Sequence, residues 1–440
     1  MNTNPQIYHG EWWVPAKADP SNRGFFPWVP EGLERHYTGT LTYYEDEDSK
    51  LELYHTPNSL PVQHYKNNPV VWGKDANGHI FTLFNVIMKD QHIGDFSNAT
   101  FIVGAILIGK HVLSAETLLF NTCVVKYPYL RNFARCKDLV YEEKGDKVFF
   151  GTKRGLRKLE DAQIDNGIRW IMLHRPTLTM NPFDLSFKQE TEFWIESSTK
   201  LTILDFLRQI EEFSQFLSIA LYCKQRPTET KFTITRSKKE YYLLVKREKS
   251  INPNFLSLIK FDLLKDKLPS MLKTWHENFE RVAPITSYLI QSLKRMNKFD
   301  VPDFLIIAQA LDGYNRRFVN HEKTKEETKV HQKKGRDKLT QYEKGIISLI
   351  SQFSDVYCIQ KCKIDPQVVG QSRDKYSHLL LDKDKPLAVK GINLYWLTEK
   401  CKILLTCCIL NMIGLTNEDI NKCCEQSPIS QIIDSLPPEI

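Results

Sequence analysis

The sequence predicts an α+β protein: a β-rich N-terminal domain over residues 1–254, with one long helix near 203–223, followed by an all-α helical bundle over 255–440. Three observations carry that expectation. The first 200 residues are dominated by short β-branched and aromatic runs set between turn residues. At residue 203 the apolar period changes from that of a strand to that of a helix. From about residue 255 the helical period persists to the end.

Taken in order, "HYTGTLTYYEDEDSKLELYH" gives two strands around an acidic turn, and "VVWGKDANGHIFTLFNVIM" places Asn77-Gly78 between two more, a strong hairpin signal. Further strands are expected at 100–108, 117–126, 146–151, 167–173 and 191–196. In "TILDFLRQIEEFSQFLSIALYCK", Ile203, Leu207, Ile210, Phe213, Leu217 and Leu221 share a helix face, and Thr202 with Asp205 forms a capping box. A second hairpin, "KFTITRSKKEYYLLVKRE", closes this half. In the bundle, Phe304, Ala308, Leu311, Tyr314 and Phe318 define one helix, and Ile346, Leu349, Ile350 and Phe353 another, with a charged tract between them. Asp365-Pro366 supplies an N-cap and a first-turn proline for a helix over 366–381. Pro386 separates it from a long helix over 389–413, and Thr416 opens another. Short loops between such helices make a bundle.

Composition bounds the function without choosing it. A hydrophobic content of 42% and a charged content of 26% over 440 residues describe a folded globular chain. The N-terminus has no signal-peptide pattern. The longest apolar runs, at 101–109 and 403–415, fall short of the roughly 18–20 residues a membrane span needs, so a cytoplasmic protein without membrane contact is expected. A net charge of +7 permits a polyanionic partner. The ten cysteines include no C-x-x-C pair, and their spacing matches no common metal-ligand pattern, so buried reduced thiols are expected and no metal or cofactor is assigned. Nucleotide-binding, zinc-protease and serine-hydrolase motifs are absent.

The chemistry concentrates in "QSRDKYSHLLLD". Arg, four residues, then His occurs three times, as Arg169–His174, Arg316–His321 and Arg373–His378. The first lies in a strand-like run, where residues five apart face opposite ways. The second lies where a helix gives way to the charged tract. The third lies on a helix, where Asp374 and His378 are spaced to meet at i and i+4, the carboxylate orienting the imidazole. Arg373 leaves the same turn with a planar fork suited to phosphate. The competing interpretation of these three residues is an ordinary solvent-exposed ion pair.

Arg, a polar residue, three to five residues and a His, entering a helix of an all-α bundle, resembles the signature of HEPN ribonucleases, with Asp374 in the polar slot. The flanks "FLIIAQALDGYNRRF" and "VKGINLYWLTEKCKILLTCCIL" look like the HEPN domain of ApeA-type anti-phage proteins, with a HEPN core over 303–440. "GEWWVP" and "GTLTYYEDEDSKLELY" are similar to the β-rich domain that precedes it in that family.

The resemblance implies a metal-independent endoribonuclease in which the RNA 2′-OH attacks the adjacent phosphorus, leaving a 2′,3′-cyclic phosphate and a 5′-OH. It assigns His378 as general acid or base, Arg373 to the scissile phosphate and Asp374 as the residue that orients His378. It also implies a homodimer through the HEPN domain, a tRNA anticodon loop as substrate, and abortive infection set off by a phage-derived trigger sensed through the N-terminal domain. Arg316, Arg317, Lys333, Lys334 and Lys375 are the expected RNA-binding residues. Two other interpretations stay open: an inactive bundle that binds RNA or a partner without cutting, and a ligand-sensing β-domain whose bundle serves only for dimerisation.

Overall fold

The computed structural model describes residues 5–13, 36–54, 70–92, 98–135, 139–144, 147–152, 156–181, 184–234, 237–253, 256–293, 299–319 and 339–437. Six antiparallel strands close into a barrel: β1 (Gln6–Trp13), β2 (Tyr37–Tyr43), β3 (Ser49–Tyr54), β4 (Val71–Asp75), β5 (Ile80–His92) and β6 (Asn98–Ile108). They run in the order β6-β3-β2-β1-β4-β5, and β5 returns to pair with β6. Alternate side chains point inward, and Trp12, Leu41, Leu51, Phe81 and Phe101 fill the lumen with no exposure. The Asn77-Gly78 turn forms as expected. The Asp75 carboxylate accepts from the Asn77 and His79 N–H groups at 3.0 and 2.8 Å, and Gly78 takes φ +83, a conformation side chains disfavour.

The sheet continues past the barrel through β14 (Ser237–Val245) and β13 (Glu229–Ile234) to β7 (Leu119–Lys126), β12 (Asp184–Thr202), β11 (Ile168–Asn181) and β10 (Arg157–Asp165). A short hairpin, β8 (Leu139–Lys144) with β9 (Lys147–Thr152), and a single helical turn, α1 (Leu130–Ala134), precede β10. Against this sheet lies α2 (Ile203–Leu221), whose Thr202–Asp205 capping box is present. Its apolar face meets the sheet where the Phe193 and Phe213 rings stack with centroids 3.6 Å apart.

The remainder is helical: α3 (Phe261–Leu264), α4 (Leu268–Leu293), α5 (Val301–Tyr314) with a π-helical extension to Val319, α6 (Gln341–Gln352), α7 (Tyr357–Cys362), α8 (Pro366–His378), α9 (Gly391–Met412), α10 (Asn417–Cys424) and α11 (Pro428–Asp434). The helix expected over 366–381 stops at His378, because Leu379 adopts φ +52 and the chain turns back on itself.

One buried apolar cluster spans the second part of the sheet and the bundle, from Phe120 and Trp170 through Phe213 and Trp275 to Phe304 and Leu404. Helix α4 is the shared element, packing on β10 and α2 on one side and on α5 and α9 on the other. At its inner face the fully buried Glu212 carboxylate meets Arg208 Nε at 3.2 Å and His276 Nδ1 at 2.6 Å, while Trp275 Nε1 donates to the Glu212 carbonyl at 2.9 Å. No helix among the described residues is long and apolar enough to cross a membrane.

Candidate active site

Helix α8 begins as its sequence dictates. The Asp365 side chain accepts from the Gln367 and Val368 N–H groups at 2.8 and 3.3 Å, and Pro366 occupies the first turn. The helix lies against α6 at Gly370, where a Cβ would stand only 2.7 Å from the Glu343 side chain. Glu343 is itself fixed, since it closes the α6 capping box with Thr340. This close approach brings Arg373, one turn later, over the ring of Tyr342, with the guanidinium carbon 5.1 Å from the centroid. Tyr342 is anchored in turn by its hydroxyl, which donates to the Ala308 carbonyl on α5 at 3.1 Å. Burial pushes its phenol well above the usual range, so the ring stays neutral beneath the cation.

Asp374 accepts from Arg373 at 3.2 Å and from Lys385 at 2.8 Å. Burial raises its pKa, but the Lys385 ammonium and the Arg373 guanidinium together outweigh that effect and hold the carboxyl below its ordinary value. Lys385 belongs to the return segment, residues 379–390, which folds back along α8. Leu387 N–H donates to Gln371 at 2.9 Å, Val389 N–H donates to the Ser372 hydroxyl at 3.1 Å, and the Tyr376 hydroxyl donates to the Val389 carbonyl at 3.0 Å. Asp382 bridges Lys375 and Lys390 within the same segment, and those two cations lower its pKa to about 2.

Two sequence expectations change here. Asp374 does not orient His378, because its oxygens are taken by Arg373 and Lys385; His378 stands exposed at the end of α8, and no side-chain bond joins it to Asp374 or Arg373. Lys375 is buried, with its ammonium held by Asp382, and does not face solvent as an RNA-binding group. Arg316 and Arg317 are exposed on the π-helical extension of α5. Arg316 is paired with Asp312 at 2.9 Å, and Arg317 donates to the Arg281 carbonyl at 2.7 Å. Lys333 and Lys334 lie outside the described residues. Tyr342 and Lys385 escaped the sequence reading. Tyr342 lies too far upstream for any periodicity to connect it, and the only cue for Lys385 was the turn at Pro386.

The Arg169–His174 spacing builds nothing comparable. Arg169 pairs with Asp161 and with Glu196 at 3.3 Å on one face of β11. His174 is fully buried on the opposite face, with Nδ1 2.8 Å from the Thr191 hydroxyl. His321 lies outside the described residues.

A β-rich N-terminal half leading into a helical domain, with an arginine stacked and charge-balanced on an internal helix, makes this an α+β protein. Residues 305–419 match the Apea-like HEPN family, and residues 7–275, more than half of the chain, match ApeA N-terminal domain 1. The chain therefore belongs to the ApeA family, whose HEPN domain places it among HEPN-type anti-phage ribonucleases. HEPN domains typically bind RNA and dimerise. No curated protein and no solved structure shows significant similarity to the chain.

Proposed function

We propose that this chain is a metal-independent endoribonuclease that cuts RNA by attack of the 2′-OH on the adjacent phosphorus, with its site on α8. The observation that carries this reading is the placement of Arg373. Its guanidinium rests on Tyr342 and beside Asp374, a third exposed, and so is pre-oriented with donors left to meet a phosphate. His378 acts as general acid or base, and its exposure at the helix end leaves the imidazole accessible to RNA. Asp374 serves as a positioning residue, holding Arg373 and Lys385 together rather than the histidine. Arg316 and Arg317 contact flanking phosphates.

A single imidazole supplies one of the two proton transfers, and a second copy supplies the other in a homodimer formed through the HEPN domain. In support, Leu379 and Leu381 directly after His378, and Ile392 in the first turn of α9, are 87, 62 and 65% exposed, which is apolar surface a partner would cover. Single-stranded loops give the backbone freedom that in-line attack requires, which favours a tRNA anticodon loop and a role in abortive infection. Residues 1–254 then form the sensing region, with the HEPN core at 303–440.

The alternative is an RNA- or partner-binding module without catalysis, favoured by the absence of any bond between His378 and Arg373. Cleavage of total tRNA in excess chelator by wild type and His378→Ala separates the two. Cuts with cyclic-phosphate ends that vanish in the variant support the nuclease. Binding by both proteins with cutting by neither supports the module.

A further inference from the structure

Seven of the ten cysteines lie between residues 358 and 424, and three of these converge although they are 49 and 66 positions apart along the chain. Cys358 comes from α7, Cys407 from α9 and Cys424 from α10. The Cys358 sulfur lies 3.7 Å from that of Cys407 and 3.5 Å from that of Cys424, and all three fall within 4.8 Å of one another. Sulfurs bound to one ion at about 2.3 Å each stand roughly 4 Å apart in a trigonal arrangement. The three thiols are therefore already spaced to share an ion, without movement of the helices that carry them.

We propose that Cys358, Cys407 and Cys424 form a three-coordinate site for copper(I). The ligand set selects the ion. Three soft sulfurs in a dry setting suit a soft monovalent cation, whereas structural zinc takes four ligands. Among the described residues no fourth cysteine, histidine or carboxylate joins the group. Cys358 and Cys407 are fully buried and Cys424 is 5% exposed, so the ion enters from the α10 side. Binding displaces the thiol protons to solvent and moves no electron. The bound ion ties α7 and α10 to α9. Because α7 leads through Lys363 and Asp365 directly into α8, it also fixes the start of the helix that carries Arg373. This site is structural, and the proposal does not depend on the ribonuclease reading.

The test uses the full chain, purified anaerobically and titrated with copper(I) against a bathocuproine competitor. One equivalent should bind, with a near-ultraviolet thiolate charge-transfer band that is absent from the metal-free chain. Cys424→Ser, the change nearest the surface, should lose the band while keeping its circular dichroism. Cys362→Ser, a buried thiol of α7 outside the group, should keep the band. If Cys424→Ser does not fold, the copper(I) stoichiometry and the charge-transfer band of wild type decide alone. Folded wild type that takes up no copper(I), that binds zinc in preference, or whose mass shows a Cys358–Cys424 disulfide overturns the proposal.

Discussion

Arg169–His174 and Arg373–His378 share one spacing and meet opposite fates. On β11 the alternation of faces sends the arginine to solvent, between two carboxylates, and buries the histidine beneath the sheet. On α8 both residues stay on the accessible side of the bundle, and the arginine is held by an aromatic ring and a shared carboxylate. A pattern of residue types thus acquires chemistry only through the element that carries it. The first is a sheet brace; the second is a pre-oriented cation on a helix that ends in an exposed imidazole.

The largest expected difference between the two regions is catalytic. His378→Ala should lower RNA cleavage by roughly 10²–10⁴-fold, the usual contribution of a general acid or base. Arg169→Ala should leave the cleavage rate unchanged, and equal loss in both variants would erase the distinction. Gly370→Ala tests the packing that places the arginine. The new methyl meets Glu343, so stability should fall by about 1–3 kcal/mol, read as a drop of several degrees in Tm. Arg373→Lys keeps the charge but loses the planar stack on Tyr342. A cation–π contribution of about 0.5–2 kcal/mol predicts roughly two- to thirty-fold weaker cleavage, measured as kcat/KM. Lys385→Ala frees the return segment at a cost of about 0.2–1 kcal/mol, visible as faster amide exchange over residues 379–390.

The smallest effect is in pH. The Asp374 and Asp382 carboxyls are more acidic in the folded chain than in the unfolded one. Their pairing therefore stabilises fully above the ordinary carboxyl value of 3.8 and is lost as the pH falls toward about 2, where Asp382 takes up its proton. Wild-type Tm should fall more steeply through that window than that of Asp382→Asn, and parallel curves would remove the pair from the stability of the bundle.

Much of this was legible in the sequence because local signals suffice for it. The Asn77-Gly78 turn, the Thr202–Asp205 box and the Asp365-Pro366 start all appear where short-range chemistry puts them. The α8 end at His378 was missed because Leu380 and Leu381 continue an apolar run while Leu379 takes a backbone angle that nothing in its type announces. The Asp374–His378 contact was a reasonable inference from helix spacing. It lost to Lys385, which reaches Asp374 only because the chain doubles back after the helix. Tyr342 beneath Arg373, like the three convergent thiols, depends on tertiary packing across tens of residues and leaves no local trace.

Helix α4 has a consequence for how this protein can be taken apart. It presents Trp275 and Val282 to a core that the sheet and the bundle fill together, and the Glu212–His276 contact pins it from the N-terminal side. A cut before Leu268 or after Leu293 strips one wall from that core. Excised halves are therefore expected to aggregate rather than work alone, and a chimera pairing one relative's N-terminal region with another's helical region would inherit a mismatched seam.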